Sequence, residues 1–302
     1  MSQADDQAGL GIGAQRDWIW RGWRVRYTYI RTANHNQPAL PILLLHGFGA
    51  SIGQWRYNLQ PLSQQHSVYA LDMLCFGASH KAAAAYNVEL WVAQVYDFWR
   101  TWIGCPIILL GHSLGALVAL SATIAHPEMV QGLIMLTLPG TRQESLPDRV
   151  QPIVSAVEGL FAGPWLLRPL FQWVRQPQFL RAALKRVYIK PDLVTDELVS
   201  IFATPTQDQG VVRAFCYLCK SATQPDYGPN VQRLLLKLNV PSLLLWGQQD
   251  WVVPLSRGHT LAANHPHLQL VEFPEVGHCF YDEDPAAVNQ SILDWIASQG
   301  VG

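Results

Sequence analysis

Three residue types that cooperate in acyl transfer stand far apart along the chain. They are Ser113 in Gly111-His112-Ser113-Leu114-Gly115, Asp250 in Gly247-Gln248-Gln249-Asp250, and His278 in Glu275-Val276-Gly277-His278. A serine hydroxyl is a poor nucleophile until a base takes its proton, and a neutral imidazole is a suitable base near pH 7. A carboxylate beside the imidazole fixes its tautomer and stabilises the imidazolium. Taken singly, each residue has an ordinary reading: a Gly-Ser turn, a turn aspartate before Trp251, and a capping or surface histidine. Their order, Ser then Asp then His, and the position of each at the end of an expected strand argue for a joint role.

The elements that must position them can be read from the apolar pattern. Ile107 to Leu110 is a run expected as a strand buried on both faces, and a helix-forming stretch rich in Ala and Leu follows the break at 111–115. In a strand–turn–helix context, Gly111 and Gly115 leave room where side chains would strike neighbouring backbone, and the serine is lifted above the sheet. The first amides of the new helix then point at the same spot with the positive end of the helix dipole. Asp17 to Ile30 reads as a hairpin turning at Arg21-Gly22. Ile42–Leu45 and Ser67–Leu71 read as strands, the second closed by Asp72; Gln54–Gln64 and Val88–Trp102 read as helices, and Gly132–Leu138 as the next strand. The alternation stops at Pro139 and resumes with a strand at Ser242–Trp246, a helix near Arg257–Ala263, a strand at His267–Phe273 and a last helix at Pro285–Ser298. Such alternation implies a parallel sheet covered on both faces, with its ligand-binding loops along the carboxyl edge. His46-Gly47-Phe48-Gly49 follows the early strand. The backbone amides of Phe48 and Leu114 are therefore the expected oxyanion donors. His46 is expected to brace that loop, His112 to point away from the serine, and Asp72 to form a turn.

Residues 140–238 are expected to be a helical cap inserted into a core of 17–139 and 239–302, and residues 1–16 a disordered leader without the basic, then apolar, pattern of a secretion signal. The aromatic residues Trp165, Phe171, Trp173, Trp251 and Phe280 either line an acyl or alcohol pocket or belong to the core. Over 302 residues the net charge is −1, so bulk electrostatics do not favour nucleic acid. Only 14% of residues are charged, whereas 11% are aromatic with 12 Trp, which implies a large core, an apolar cavity, or both. Five cysteines without regular spacing argue for a reducing intracellular compartment rather than a disulfide framework. Cys216-Tyr217-Leu218-Cys219 lacks the second pair or histidines of a metal site and reads as two faces of a helix; no metal or cofactor is expected. The apolar stretch Ile107–Ala125 is broken by Gly111-His112-Ser113 and reads as strand and helix rather than a membrane span, while peripheral membrane contact stays open.

From residue 17 onward the chain resembles the α/β-hydrolase superfamily. Trp20–Tyr27, Leu45–Ser51, Gln54–Asn58 and Leu71–Ser79 are similar to the pheophytinase and chlorophyll dephytylase-like serine hydrolases of cyanobacteria and plastids, as are Val187-Tyr188 and Asp208-Gln209-Gly210. The resemblance implies an α/β fold with a mostly parallel eight-stranded sheet, helices on both faces and an inserted helical cap. It also implies hydrolysis, without cofactor, of a small apolar ester such as a pigment phytyl ester, at the periphery of a photosynthetic membrane. Three positions depart from that group's pattern: Cys75 and Ala116 replace glycines, and His112 stands where the pheophytinases carry Asn. The Ser113 nucleophile disfavours epoxide hydrolases and haloalkane dehalogenases, which use Asp there. A carbon–carbon bond hydrolase, a cofactor-free haloperoxidase and a ligand-sensing protein with little turnover remain open alternatives.

Overall fold

The computed structural model describes residues 11–32, 39–141, 144 and 164–300. Its strands are β1 (Gln15–Trp20), β2 (Trp23–Ile30), β3 (Ile42–Leu45), β4 (Val68–Leu71), β5 (Ile107–His112), β6 (Val130–Leu136), β7 (Ser242–Gly247) and β8 (Leu268–Phe273). They form one sheet in the order β1-β2-β4-β3-β5-β6-β7-β8. β2 pairs antiparallel with β1 and β4, and every other pairing is parallel. The runs that read as wholly apolar, β3, β5 and most of β7, are buried along their whole length because helices cover both faces.

Alternate residues of a strand serve opposite layers. Leu43, Leu45, Ile107 and Leu109 pack with α2 (Val88–Trp102) and α3 (Leu114–Ala125). Ile42, Leu44, Ile108 and Leu110 pack against α1 (Leu59–Ser63) and, toward the C-terminus, Val288, Ile292, Trp295 and Ile296. α2 begins where Asn87 accepts the Leu90 amide, as an N-cap side chain should.

Between β6 and β7 the described residues hold helices and no strand: α4 (Pro164–Val174), α5 (Pro177–Val187), α6 (Asp196–Ala203), α7 (Val211–Ala222) and α8 (Val231–Leu235). This segment is rooted in both layers, since Ala214 and Leu218 join the first and Leu184, Tyr188, Leu198 and Val199 the second. The chain finishes with α9 (Leu255–Asn264), α10 (Phe280–Glu283) and α11 (Pro285–Ser298).

Several expectations need adjusting. Residues 11–16 are part of the fold rather than a leader: Ile12 is core, the Thr28 hydroxyl donates to its carbonyl at 2.7 Å, and β1 starts at Gln15. Residues 1–10 lie outside the described set, as does the stretch 145–163 of the expected cap. The helix expected over Gln54–Gln64 is a 3₁₀ turn, Ile52–Trp55, followed by α1. Pro61 explains the break, because a proline is tolerated only in the first turn of a helix. Strand β6 starts and ends two residues earlier than Gly132–Leu138, releasing Thr137 into a left-handed conformation with φ 50°.

Candidate active site

β5 delivers Ser113. The serine sits between strand and α3 at φ 52°, ψ −116°, a conformation that costs an L-residue energy and lifts its side chain off the strand axis. The turn closes only because its glycines have no side chains. A Cβ on Gly111 would lie 2.2 Å from the Gly115 carbonyl oxygen, and one on Gly115 would lie 2.3 Å from that of Leu45. α3 is thereby pressed against the end of β3, which carries the His46–Gly49 loop.

β7 and β8 deliver the other two residues. His278 Nδ1 donates to Asp250 Oδ2 at 2.7 Å, and both residues are buried. The buried carboxylate is held by further donors. The Thr137 hydroxyl reaches the same oxygen at 3.2 Å, and the amides of Val252 and Val253 both reach Oδ1 at 2.9 Å. Four donors thus satisfy the two buried carboxylate oxygens. Thr137 follows β6, which lies between β5 and β7, so three neighbouring strands contribute to one cluster. Among the described residues the Ser113 hydroxyl makes no hydrogen bond. Links of this kind are often long before substrate binds.

His112 is close to the site without facing the serine. Its ring centroid is 4.6 Å from that of His278, and its Nε2 lies 3.0 Å from the His278 carbonyl oxygen, so Nε2 carries the proton. Burial, with the neighbouring His278 adding to it, holds its pKa well below the usual histidine value, so the ring is neutral. His112 therefore anchors the backbone of the histidine loop.

The His46–Gly49 loop is braced in the same manner. His46 Nδ1 donates to the Gly47 carbonyl at 2.7 Å and its Nε2 accepts the Met73 amide at 3.1 Å; burial pushes its pKa down to about 4. Gln54 accepts the Gly47 amide at 3.0 Å, which removes that amide as an oxyanion donor. The amides of Phe48 and Leu114 have no acceptor among the described residues. Asp72 does turn work: it accepts Ile52 N at 2.6 Å and Ala78 N at 2.7 Å, and burial pushes its pKa up to about 6.

The aromatic candidates separate. Phe280 is wholly buried and stacks on Phe273 at 5.3 Å, a core position rather than a pocket wall. Phe171 is buried against Phe215, with ring centroids 4.7 Å apart, inside the helical segment. Trp165 and Trp173 face outward, whereas Trp251 is exposed beside Asp250 and donates its indole N–H to the Arg186 carbonyl at the end of α5. Apolar spacing on a helix cannot tell a pocket face from a solvent face.

Sequence reasoning did not single out Thr137 or Glu283. Glu283 is buried and accepts Gly277 N at 3.0 Å through one oxygen, and Ile189 N and Lys190 N at 2.8 and 3.0 Å through the other. The helical segment is thus tied to the residue just before His278. Next to it Asp282 pairs with Arg56 at 2.8 Å and accepts from the Tyr188 hydroxyl at 2.6 Å. Lys81 pairs with Asp208 at 3.0 Å. Tyr188 and Asp208, two of the residues that carried the resemblance, therefore fasten this segment to the core. The sequence offers for Glu283 only its place in the acidic run Asp282-Glu283-Asp284, close after His278.

The model of one family, described as the alpha/beta hydrolase family, matches residues 42–291, which contain every strand from β3 to β8 and all of the residues above that surround Ser113. The chain belongs to that family. Among curated relatives of this hydrolase, the 2-hydroxymuconate semialdehyde hydrolase of Pseudomonas sp. (strain CF600) is 28% identical, over 89% of this chain and 91% of its own. The chloroplastic pheophytinase of Arabidopsis thaliana is 24% identical, over 90% of this chain and 64% of its own. Among solved structures, a bacterial membrane phospholipase A superposes with a TM-score of 0.75 at 24% identity, covering 98% of this chain and 89% of that one. Among the described residues of the present hydrolase, no helix is long and apolar enough to cross a membrane, and no group of three or more His, Cys, Asp or Glu could hold a metal ion.

Proposed function

We propose that this hydrolase cleaves a carboxylic ester of an apolar substrate through Ser113, His278 and Asp250. The supporting observation is the buried 2.7 Å bond from His278 to Asp250, set beside a serine held on a strained, glycine-flanked turn. In this reading Ser113 Oγ attacks the ester carbonyl while His278 Nε2 takes its proton. The resulting imidazolium is stabilised by Asp250, and the oxyanion is received by the amides of Phe48 and Leu114. Collapse expels the alcohol, which leaves with the proton from His278, and Ser113 keeps the acyl group. Water then attacks the acyl-enzyme with His278 as base, releasing the acid and restoring the serine. Each amide donor in such a hole is worth about 2.7–4 kcal/mol in the transition state.

The helical segment between β6 and β7 serves as the cap over the site, fastened to it by Glu283, Tyr188 and Asp208. An apolar alcohol or acyl chain fits exposed Phe48, Trp251 and Val252 on the two loops beside Ser113. A phytyl ester, the substrate class suggested by the likeness to pheophytinase, is one such molecule. A second reading, hydrolysis of a carbon–carbon bond by the same serine, is favoured by the 28% identity to the 2-hydroxymuconate semialdehyde hydrolase across nearly the whole chain.

The test is to give wild type and Ser113→Ala a fluorophosphonate, a series of nitrophenyl esters, pheophytin, chlorophyll and a ring-cleavage semialdehyde. Wild type should label and turn over esters, and Ser113→Ala should lose label and about 10⁴-fold or more of the turnover. Unchanged turnover in Ser113→Ala would refute the mechanism. Labelling without multiple turnovers would point to a ligand sensor, and turnover of the semialdehyde alone to the second reading.

A further inference from the structure

The structure leaves an apolar surface at α4. Of the thirteen large apolar side chains exposed among the described residues, five are on this one helix: Trp165, Leu166, Leu170, Trp173 and Val174, with Trp165 at 74% and Trp173 at 58% exposure. At 100° per residue they span the outward half of the helix, while Leu167 and Phe171 turn inward to α7. Single exposed apolar residues are ordinary, but a contiguous row with two indoles is not. The row continues onto α5, where the Phe179 ring lies 3.7 Å from that of Trp173.

The charge around this row points one way. From 164 to 190 the sequence holds Arg168, Arg175, Arg181, Lys185, Arg186 and Lys190 and not one Asp or Glu, in a chain whose net charge is −1. Arg181 is paired with Asp196. Arg175 donates to the Thr206 carbonyl and Lys190 to that of Glu283. Arg168, Lys185 and Arg186 are exposed and have no carboxylate partner among the described residues. A protein partner would require a matching apolar groove of fixed shape. A lipid surface requires only an apolar face with indoles at headgroup depth and cations for anionic headgroups.

We propose that α4, with the exposed cations of α5, seats this hydrolase on a bilayer containing anionic lipid. Trp165, Leu166, Leu170 and Trp173 would enter the boundary between headgroups and acyl chains, and Arg168, Lys185 and Arg186 would lie along the headgroups. The Trp251–Arg186 hydrogen bond joins the end of α5 to the Asp250 loop, so the seated surface and the loops beside Ser113 share one support.

The experiment is flotation of the protein with vesicles of phosphatidylcholine alone and of phosphatidylcholine mixed with phosphatidylglycerol. Wild type should float with the mixed vesicles, less so as salt is raised, and hardly with the neutral ones. Ser113→Ala should float as wild type does, which separates this inference from the proposed chemistry. Each cation at an anionic surface is worth roughly fivefold in partition, so the triple change Arg168→Gln, Lys185→Gln, Arg186→Gln should weaken binding roughly a hundredfold. Trp165→Ala with Trp173→Ala should weaken it on both vesicle types while thermal unfolding stays unchanged. The proposal fails if wild type does not float, if neutral vesicles bind as well as anionic ones, or if the variants float like wild type. It also fails if light scattering shows a dimer that the tryptophan pair disrupts without any vesicle binding, which would make a second copy the occupant.

Discussion

Asp250→Asn should leave the fold intact and nearly silence the site, and the hydrogen bonds say why. An asparagine has one oxygen to offer where the aspartate uses two. Placed where Oδ1 is, that oxygen keeps the Val252 and Val253 amides satisfied. The amide NH₂ then faces His278 Nδ1. The opposite orientation points NH₂ at two backbone N–H groups and strands both, at about 1–3 kcal/mol for each buried donor. The first orientation therefore wins by several kcal/mol. It forces His278 into the tautomer with a bare Nδ1 and a proton on Nε2, the nitrogen needed to receive the proton of Ser113. The same change in a serine protease costs about 10⁴ in turnover, or roughly 5.4 kcal/mol at 1.36 kcal/mol per decade. The assay is kcat/KM on a soluble nitrophenyl ester alongside thermal unfolding. The expected result is a loss near 10⁴-fold with stability within about 1 kcal/mol of wild type, because the loop anchor survives. Activity within tenfold of wild type in a folded Asp250→Asn protein would refute this account of the carboxylate.

Two other substitutions probe residues that support the site. His112→Phe keeps a buried ring but leaves the His278 carbonyl without its donor; stability should fall by about 1–3 kcal/mol in urea unfolding, and kcat should drop with KM little changed. Cys75 holds φ 84°, a left-handed value, while its thiol is buried and its pKa is pushed up to about 11 by that burial. Cys75→Gly should stay within about 1 kcal/mol of wild type, since relief of backbone strain offsets the lost side chain, whereas branched Cys75→Val should lose about 2 kcal/mol or more. Thermal unfolding of the pair checks this.

The left-handed φ at Cys75 also explains one departure from the family pattern: the position is built for glycine, and this chain tolerates the strain. More generally, what could be read in advance was what physics writes locally. A buried parallel strand must be a short apolar run, and a loop at its carboxyl end must reach the edge where Ser113, Asp250 and His278 lie. The helices read at Val88–Trp102 and Pro285–Ser298 have the bounds of α2 and α11, whose first turns are capped by Asn87 and Asp284. Thr137, His112 and Glu283 were not legible in those roles. Each acts through a partner remote in sequence, and nothing nearby in the chain marks a threonine as the fourth donor to a carboxylate. Ile12 was missed because it stands among glycines and small residues, Gly11-Ile12-Gly13-Ala14, which suggest a flexible stretch rather than an element. Trp165 and Phe171 looked alike in sequence, and only packing separated the exposed ring from the buried one.

The carboxylate of Glu283 grips two places at once, the amide of Gly277 on one side and those of Ile189 and Lys190 on the other. A rigid side chain with both oxygens engaged behaves as a strut. A pull on the backbone after α5 would therefore be passed through this one carboxylate to the residue before His278, so the placing of that imidazole and the seating of the helical segment share a single fastening.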